Sequence, residues 1–305
     1  MVNIGILGFS PENGHPYSFS AIINGYDSDN FNKTEWTGIL NYLEKRDTSE
    51  IAELDAKVTH IWTQTPHLSQ EIADCCHIEH VVEEFIDMIG HVDGVIIARD
   101  DYELHLDMAK PFLDAGVPVF IDKPLTLSRE EMNWYKPYYE KGLLMSCSGL
   151  RHCQELDIVR NSLEHYGDIR LVRAAVINGW DKYGIHMLDA TLGIWDLNAT
   201  TIQCTSSNGV DSYIIDFESD IRVQIDTLGP DVVTFSYEVF GTKQCQKFEI
   251  RDNFSSFKRT LKLFIEQVKT REPAIGWQSL NRSISILIAG RKAKASQSKV
   301  LVKYE

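Results

Sequence analysis

The chain has 305 residues, 43% of them hydrophobic and 24% charged, as suits a soluble protein of about two domains with length for real cores. Its 30 basic against 44 acidic residues leave a net charge of −14, which argues against a general nucleic-acid binder, whose phosphate contacts need a basic face. No stretch approaches the ~18 apolar residues of a membrane span, and Met1 to Gly8 carries no basic leader, so a cytoplasmic protein without a membrane partner is expected.

Residues 3–9 form a short apolar strand that ends around Gly8 and passes through a loop at 10–14 into a helix opening at His15-Pro16. Pro16 suits a first helical turn, where its missing N–H has no partner anyway. In the polar segment 27–57, Trp36, Ile39, Leu40 and Leu43 recur at helical spacing. A strand at 58–62, a helix at 69–76, a short strand at 80–82 and a short helix at 85–89 follow. Residues 92–98 form a continuous apolar strand of the kind buried on both faces. A helix over 105–115 stops at Gly116, and the strand 117–121 runs directly into Asp122-Lys123-Pro124. A helix over 128–141 and a strand at 144–148 complete this half. Such alternation predicts a Rossmann-type doubly wound parallel sheet, with ligands at the carboxyl ends of its strands.

The pattern changes near Arg151. Strands are predicted at 169–177, 201–206, 212–217, 222–227, 234–240 and 246–250, separated by turn residues, and helices at 254–268 and 277–293. This half predicts an α+β domain with a large open, mostly antiparallel sheet. The domain boundary is placed at 122/123, giving a dinucleotide-binding-type domain over 1–122 and a substrate-binding and oligomerisation domain over 123–305.

The six cysteines (Cys75, Cys76, Cys147, Cys153, Cys204, Cys245) form no CxxC pair, and reduced, mostly buried thiols are expected. Cys75-Cys76-His77-Ile78-Glu79-His80 packs four metal-ligand types into six positions. Structural zinc, however, usually takes ligand pairs from separate segments, so the segment is read as a helix end and a turn, and no metal is expected.

Three places offer chemistry. The loop after Gly8, with Phe9 and Ser10, lies at a strand-to-helix turn that presents N–H groups to a phosphate. It departs from GxGxxG in its length, its missing second glycine and its acidic Glu12. The next strand ends in Thr63-Gln64-Thr65-Pro66, without the acid that holds a ribose hydroxyl. Second, Lys123 at a buried strand end either holds an anion or polarises an oxygen, or is a surface turn lysine. Third, Lys182, His186 and Asp189 share one helical face at i, i+4 and i+7, with Asp189 placed to orient a histidine base; a satisfied structural histidine is the alternative. Arg99, at the end of the 92–98 strand, either holds a phosphate or pairs with Asp100 or Asp101. His15 and Tyr17 either cover the same crevice or pack at the helix start.

Together, the 92–98 strand, His105, the run Ala115 to Leu125, Ser148-Gly149-Leu150-Arg151 and Gly184 to Asp189 resemble the Gfo/Idh/MocA family of NAD(P)-dependent oxidoreductases, which includes glucose-fructose oxidoreductase and inositol dehydrogenase. The resemblance covers nearly the whole chain. It implies NAD or NADP as cofactor, held near Gly8, Phe9, Ser10, Thr63, Ala98, Arg99, His105, Asp122 and Lys123. It implies a sugar-like substrate (sugar, cyclitol or nucleotide sugar) near Lys123, Arg151, Lys182, Tyr183, His186 and Asp189. His186 would exchange the hydroxyl proton, and Lys123 would polarise the substrate oxygen. Many members carry an aspartate four residues before the histidine. Here that position is Lys182, a further catalytic candidate, which points either to an anionic substrate or to a non-catalytic descendant that only binds a sugar or nucleotide. The resemblance also implies a homodimer or homotetramer built through the second sheet.

Overall fold

The structure, a computed structural model, describes residues 1–304. It contains two compact units, Met1–Ser146 with Phe257–Ile275, and Cys147–Ser256 with Gly276–Glu305.

The first unit is built on six parallel strands: β1 (Val2–Leu7), β2 (Ala56–Trp62), β3 (His80–Val81), β4 (Gly94–Ile97), β5 (Val119–Ile121) and β6 (Leu144–Ser146). Their order is β3-β2-β1-β4-β5-β6, so the winding reverses between β1 and β4, where open sheets of this kind bind ligands. β4 is buried along its whole length, as its unbroken apolar run requires of a strand covered on both faces. Segment 27–57 yields the helices Ser28–Phe31 and Thr37–Leu43, the latter burying Ile39, Leu40 and Leu43. Helix Pro66–Cys76 starts at its proline, earlier than apolar spacing alone suggests, and ends on His77 in a left-handed cap at φ 53°. Cys75 and Cys76 are thus the buried end of a helix, as read from the sequence. Among the described residues no group of three His, Cys, Asp or Glu is placed to hold a metal ion, and no helix is long and apolar enough to cross a membrane.

The first unit runs past the expected boundary at 122, because β5 leads through helix Arg129–Glu140 into β6, a sixth strand of the same sheet. It also recruits a segment expected in the second domain. Helix Asn253–Thr270 places Phe257 5.2 Å from Phe19 and Phe264 5.7 Å from Phe120, ring centre to ring centre. Gly94 permits the approach, since a Cβ there would stand 2.9 Å from Val268 Cγ2.

The second unit carries β7 (Ile169–Val176), β8 (Ala199–Ser207), β9 (Val210–Phe217), β10 (Arg222–Thr227), β11 (Phe235–Gly241), β12 (Cys245–Glu249) and β13 (Val300–Leu301). Their order is β12-β11-β7-β10-β9-β8-β13. All neighbours are antiparallel except β7 and β10. Alternate residues such as Val172, Ala174, Tyr213, Ile215, Val223, Ile225, Tyr237 and Val239 are buried, the period-two signature of a sheet with one covered face. Helix Trp277–Ser296 belongs to this unit and accepts the Trp180 indole N–H on Leu287 O at 2.9 Å.

One local expectation fails. Lys182 does not lie on an α-helical face with His186 and Asp189, because Trp180–Gly184 forms a π-helical turn before the α-helix Ile185–Leu192 begins. The wider turn breaks the i, i+4 register, and Lys182 is exposed while His186 and Asp189 are buried.

Candidate active site

In the first unit, the carboxyl ends of β1, β4 and β5 bring Gly8, Phe9, Ser10, Ala98, Arg99, Asp122 and Lys123 together. Gly8 follows β1 at φ +80°, a left-handed conformation natural to glycine. Gln64 clamps Phe9, accepting its N–H at 3.2 Å and donating to its carbonyl. Ser10 Oγ donates to Asp100 Oδ1 at 2.9 Å and accepts the Asp100 N–H at 3.1 Å. Asn13 Oδ1 takes the His15 N–H at 2.9 Å, while Asn13 Nδ2 and His15 Nδ1 reach Asp122 Oδ2 at 3.2 and 2.6 Å. The rebuilt first loop is thereby tied to the residue that precedes Lys123.

Lys123 is 4% exposed, which overturns the surface-turn alternative. Its Nζ lies 3.8 Å from Asp100 Oδ2 and 3.9 Å from Asp122 Oδ2, and the peptide to Pro124 is cis. Burial alone would lift the Asp122 carboxyl, but the charges of His15 and Lys123 and the hydrogen bonds from His15 and Asn13 hold it well below the usual carboxylate range. Asp122 is therefore an ionised, buried partner for the lysine.

Other predicted cofactor residues serve the frame. His105 is fully buried, with Nδ1 3.1 Å from Leu125 O and Nε2 2.9 Å from Arg99 O, a clasp between the loops that follow β4 and β5. Burial pushes its imidazole below the ordinary value. Thr63 is spent on the turn into helix Pro66–Cys76, its Oγ1 donating to Thr65 O at 2.8 Å and its N–H to Ser69 Oγ at 2.8 Å. Ala98 is buried with its N–H on Leu7 O at 2.9 Å. Of the two partners weighed for Arg99, the guanidinium takes Asp101 in a bidentate pair. Tyr17 is buried and donates to Glu71, a packing role at the helix start.

In the second unit His186 is 7% exposed. Its Nδ1 stands 2.6 Å from Ser148 Oγ, and its ring packs 5.3 Å from Tyr183 and 5.7 Å from Phe235, centre to centre. Asp189 reaches it through Ser148, accepting the Ser148 N–H on Oδ2 at 2.6 Å and the Ser283 hydroxyl on Oδ1 at 2.6 Å. Burial raises the Asp189 carboxyl, against the opposing pull of Arg151, Ser283 and the Ser148 amide. Arg151 Nη1 lies 3.7 Å from Asp189 Oδ1, and Nη2 donates to Ser279 Oγ at 2.6 Å. These contacts tie Arg151 and Asp189 into the frame beneath the histidine. Ser148, Asp100 and Asn13 are the participants that sequence reasoning missed. A signal existed for the first two, since each follows the end of a parallel strand.

The frame fits a dinucleotide: a Rossmann switch point, a left-handed glycine after β1, a ten-residue helix opening beyond the loop (His15–Asn24), and a buried lysine at the end of β5. The glycine also forms a cradle that a side chain would fill, because a Cβ on Gly8 would stand 2.6 Å from Arg99 Cδ.

Residues 38–141 match the Gfo/Idh/MocA oxidoreductase family, NAD-binding Rossmann fold. No curated protein sequence matches the chain. Among solved structures, apo scyllo-inositol dehydrogenase from Lactobacillus casei is similar with a TM-score of 0.78 at 16% identity, over 99% of this chain and 98% of that one. Myo-inositol 2-dehydrogenase from Lactobacillus plantarum gives 0.78 at 12% identity, over 99% of each chain. UDP-N-acetylglucosamine 3-dehydrogenase from Acidithiobacillus ferrooxidans gives 0.73 at 13% identity, over 97% and 98%. At such identities the likeness establishes the fold.

Proposed function

We propose, from the match of residues 38–141 to the Gfo/Idh/MocA oxidoreductase family, that the chain is an NAD(P)-dependent oxidoreductase acting on a hydroxyl or carbonyl carbon of a sugar, cyclitol or nucleotide sugar. The observation that carries this reading is Lys123, buried at the end of β5 between two carboxylates. The fold neighbours act on inositols and a UDP-sugar by name, which supports the substrate class.

A bound nicotinamide dinucleotide supplies the two-electron acceptor or donor. Gly8, Phe9 and Ser10 would line its phosphate and ribose side, and Lys123 its reactive end. Lys123 Nζ donates a hydrogen bond to the substrate oxygen and stabilises the charge that develops there. His186 exchanges the hydroxyl proton. With Nδ1–H given to Ser148 Oγ, Nε2 keeps its lone pair to accept that proton in oxidation and returns it in reduction. Tyr183 and Phe235 wall the imidazole and limit its access to water.

Calorimetric titration with NADH and NADPH tests this, once mass spectrometry has shown that no dinucleotide survives purification. Micromolar binding is expected, followed by turnover with an inositol or a nucleotide sugar. Failure of the folded protein to bind either cofactor overturns the reading. The engaged first loop favours a second reading, a descendant that binds a sugar or nucleotide without turning it over; binding of such a ligand with no turnover of any would select it. Exposed Lys182 is assigned to an anionic substrate in the first reading, and Lys182→Asp gaining activity on neutral polyols would count against that. A cytoplasmic homodimer or homotetramer joined through the second sheet completes the proposal. Exposed Val232 and Val233, just before β11, fit such a surface, and light scattering that finds only monomer would remove it.

A further inference from the structure

Arg99 lies on the glycine turn. Its Cδ and Cγ stand 2.6 and 3.4 Å from where a Gly8 Cβ would be, and the side chain is almost completely buried. Its guanidinium forks onto Asp101, Nε to Oδ1 at 2.5 Å and Nη2 to Oδ2, while Nη1 faces Met108 Sδ at 3.8 Å. The Asp101 carboxylate is only partly covered, 29% exposed against 8% for the arginine. A planar fork that matches phosphate geometry thus sits where dinucleotide-binding Rossmann folds take the pyrophosphate, paired with a carboxylate that water can solvate if it is released.

The first loop supplies a reason for such a group. In a GxGxxG turn the pyrophosphate is held by backbone N–H groups of closely approaching glycines. Here the Phe9 N–H is given to Gln64, the Asn13 N–H to Ser10 O and the His15 N–H to Asn13 Oδ1. The neighbouring carboxylates have partners other than Arg99, since Asp122 is engaged by His15 and Lys123 and Asp100 by Ser10 and Lys123.

We infer that Arg99 is a pyrophosphate-binding residue of this crevice: on cofactor binding its guanidinium exchanges Asp101 for the diphosphate, making up for the donors that the altered glycine loop gives to its own partners at Phe9, Asn13 and His15. The inference rests on the dinucleotide-binding reading above. It makes the Arg99–Asp101 pair the ligand-free arrangement and assigns the class of ligand as a diphosphate-bridged nucleotide.

The test is calorimetric titration of the folded wild type, Arg99→Gln, Arg99→Lys and Asp101→Asn with NADH and with ADP-ribose, which keeps the diphosphate but lacks the nicotinamide. Loss of a charged hydrogen-bonding partner should weaken binding of both ligands to Arg99→Gln by about 10- to 100-fold, with Arg99→Lys between it and wild type. Asp101→Asn frees the guanidinium and should tighten binding by about threefold. Raising the salt concentration should weaken wild-type binding more steeply than that of Arg99→Gln. Unchanged or tighter binding by Arg99→Gln, or weaker binding by Asp101→Asn, overturns the inference and leaves the cofactor reading standing. A wild type that binds neither ligand overturns both.

Discussion

Ser148 Oγ stands 2.6 Å from His186 Nδ1, and the same residue's backbone N–H bonds to Asp189 at 2.6 Å. The carboxylate therefore acts on the histidine through a serine, one strand end away, rather than by direct contact along the helix. Ser148 Oγ also caps Leu150 N–H at 3.1 Å, which fixes its position. Ser148→Ala should lower kcat by about 10²-fold through misplacement of the proton-exchanging nitrogen, shift the pH profile of kcat/KM, and leave cofactor affinity unchanged; Ser148→Thr, which keeps the hydroxyl, should recover most of the loss. A pH profile identical to wild type in Ser148→Ala would remove Ser148 from the mechanism.

Asp122 joins the first loop to the lysine. Asp122→Asn keeps the shape but removes the charged acceptor beside His15 and Lys123, and should cost about 1–3 kcal/mol in urea unfolding. His15→Ala should cost about 1 kcal/mol, because Asp122 retains Asn13 and Lys123. The double variant should lose less than the sum, by at least ~0.5 kcal/mol. Strict additivity would mean that the 2.6 Å contact carries no coupling.

Much of this was legible in advance. The parallel sheet, the open second sheet, the place of Lys123 at a strand end and the helix carrying His186 follow from apolar runs, turn residues and strand-end logic, whereas the burial of Lys123 had to come from the structure. What could not be read is instructive. The π-helical turn at Trp180–Gly184 leaves no mark in a period-3.6 pattern, so Lys182 was put on the wrong face. The engagement of Arg151 by Asp189 and Ser279 depends on partners far away in sequence, which a local motif does not reveal. The return of Phe257–Ile275 to the first unit depends on a match between Phe257, Phe264 and Val268 and the positions of Phe19, Phe120 and Gly94, and an amphipathic stripe does not say which surface it meets.

A histidine cluster predicts how stability responds to pH. His60 on β2 lies 4.7 Å from His80 and 5.8 Å from His91, ring centre to ring centre. Burial first, then the neighbouring His80 and His91 charges, lower its pKa, with Glu79 opposing. A base whose folded pKa lies below its unfolded value takes up more protons when unfolded, so stability falls as pH drops below about 6.5. The melting temperature should decline between about pH 7 and pH 5.5, and less steeply in His60→Gln. A His60→Gln variant with the wild-type slope would assign the decline to other groups.

The helical return into the first unit can be tested at Gly142. This residue has φ +67°, and a Cβ added there would meet the Arg271 carbonyl oxygen at 1.9 Å. Gln267 Nε2 donates to Gly142 O at 3.1 Å and Leu144 O at 3.0 Å, and its Oε1 takes the Ala274 N–H at 3.0 Å, so the glycine turn and the end of helix Asn253–Thr270 are locked together through one side-chain amide. Gly142→Ala combines overpacking of about 1–3 kcal/mol with a left-handed penalty of about 1–2 kcal/mol. Relief of that clash requires the Arg271 segment to lift, which takes Gln267 from its two carbonyls and leaves a buried amide short of partners. The expected outcome is a loss of several degrees in melting temperature together with faster amide exchange at both Gly142–Leu144 and the 267–275 segment. Gly116→Ala supplies the control, since it shares a positive φ but has open space around its Cβ and should show the left-handed penalty alone. Equal losses in the two variants would show that the contact with Arg271 contributes nothing and that the segment is held by its aromatic face only.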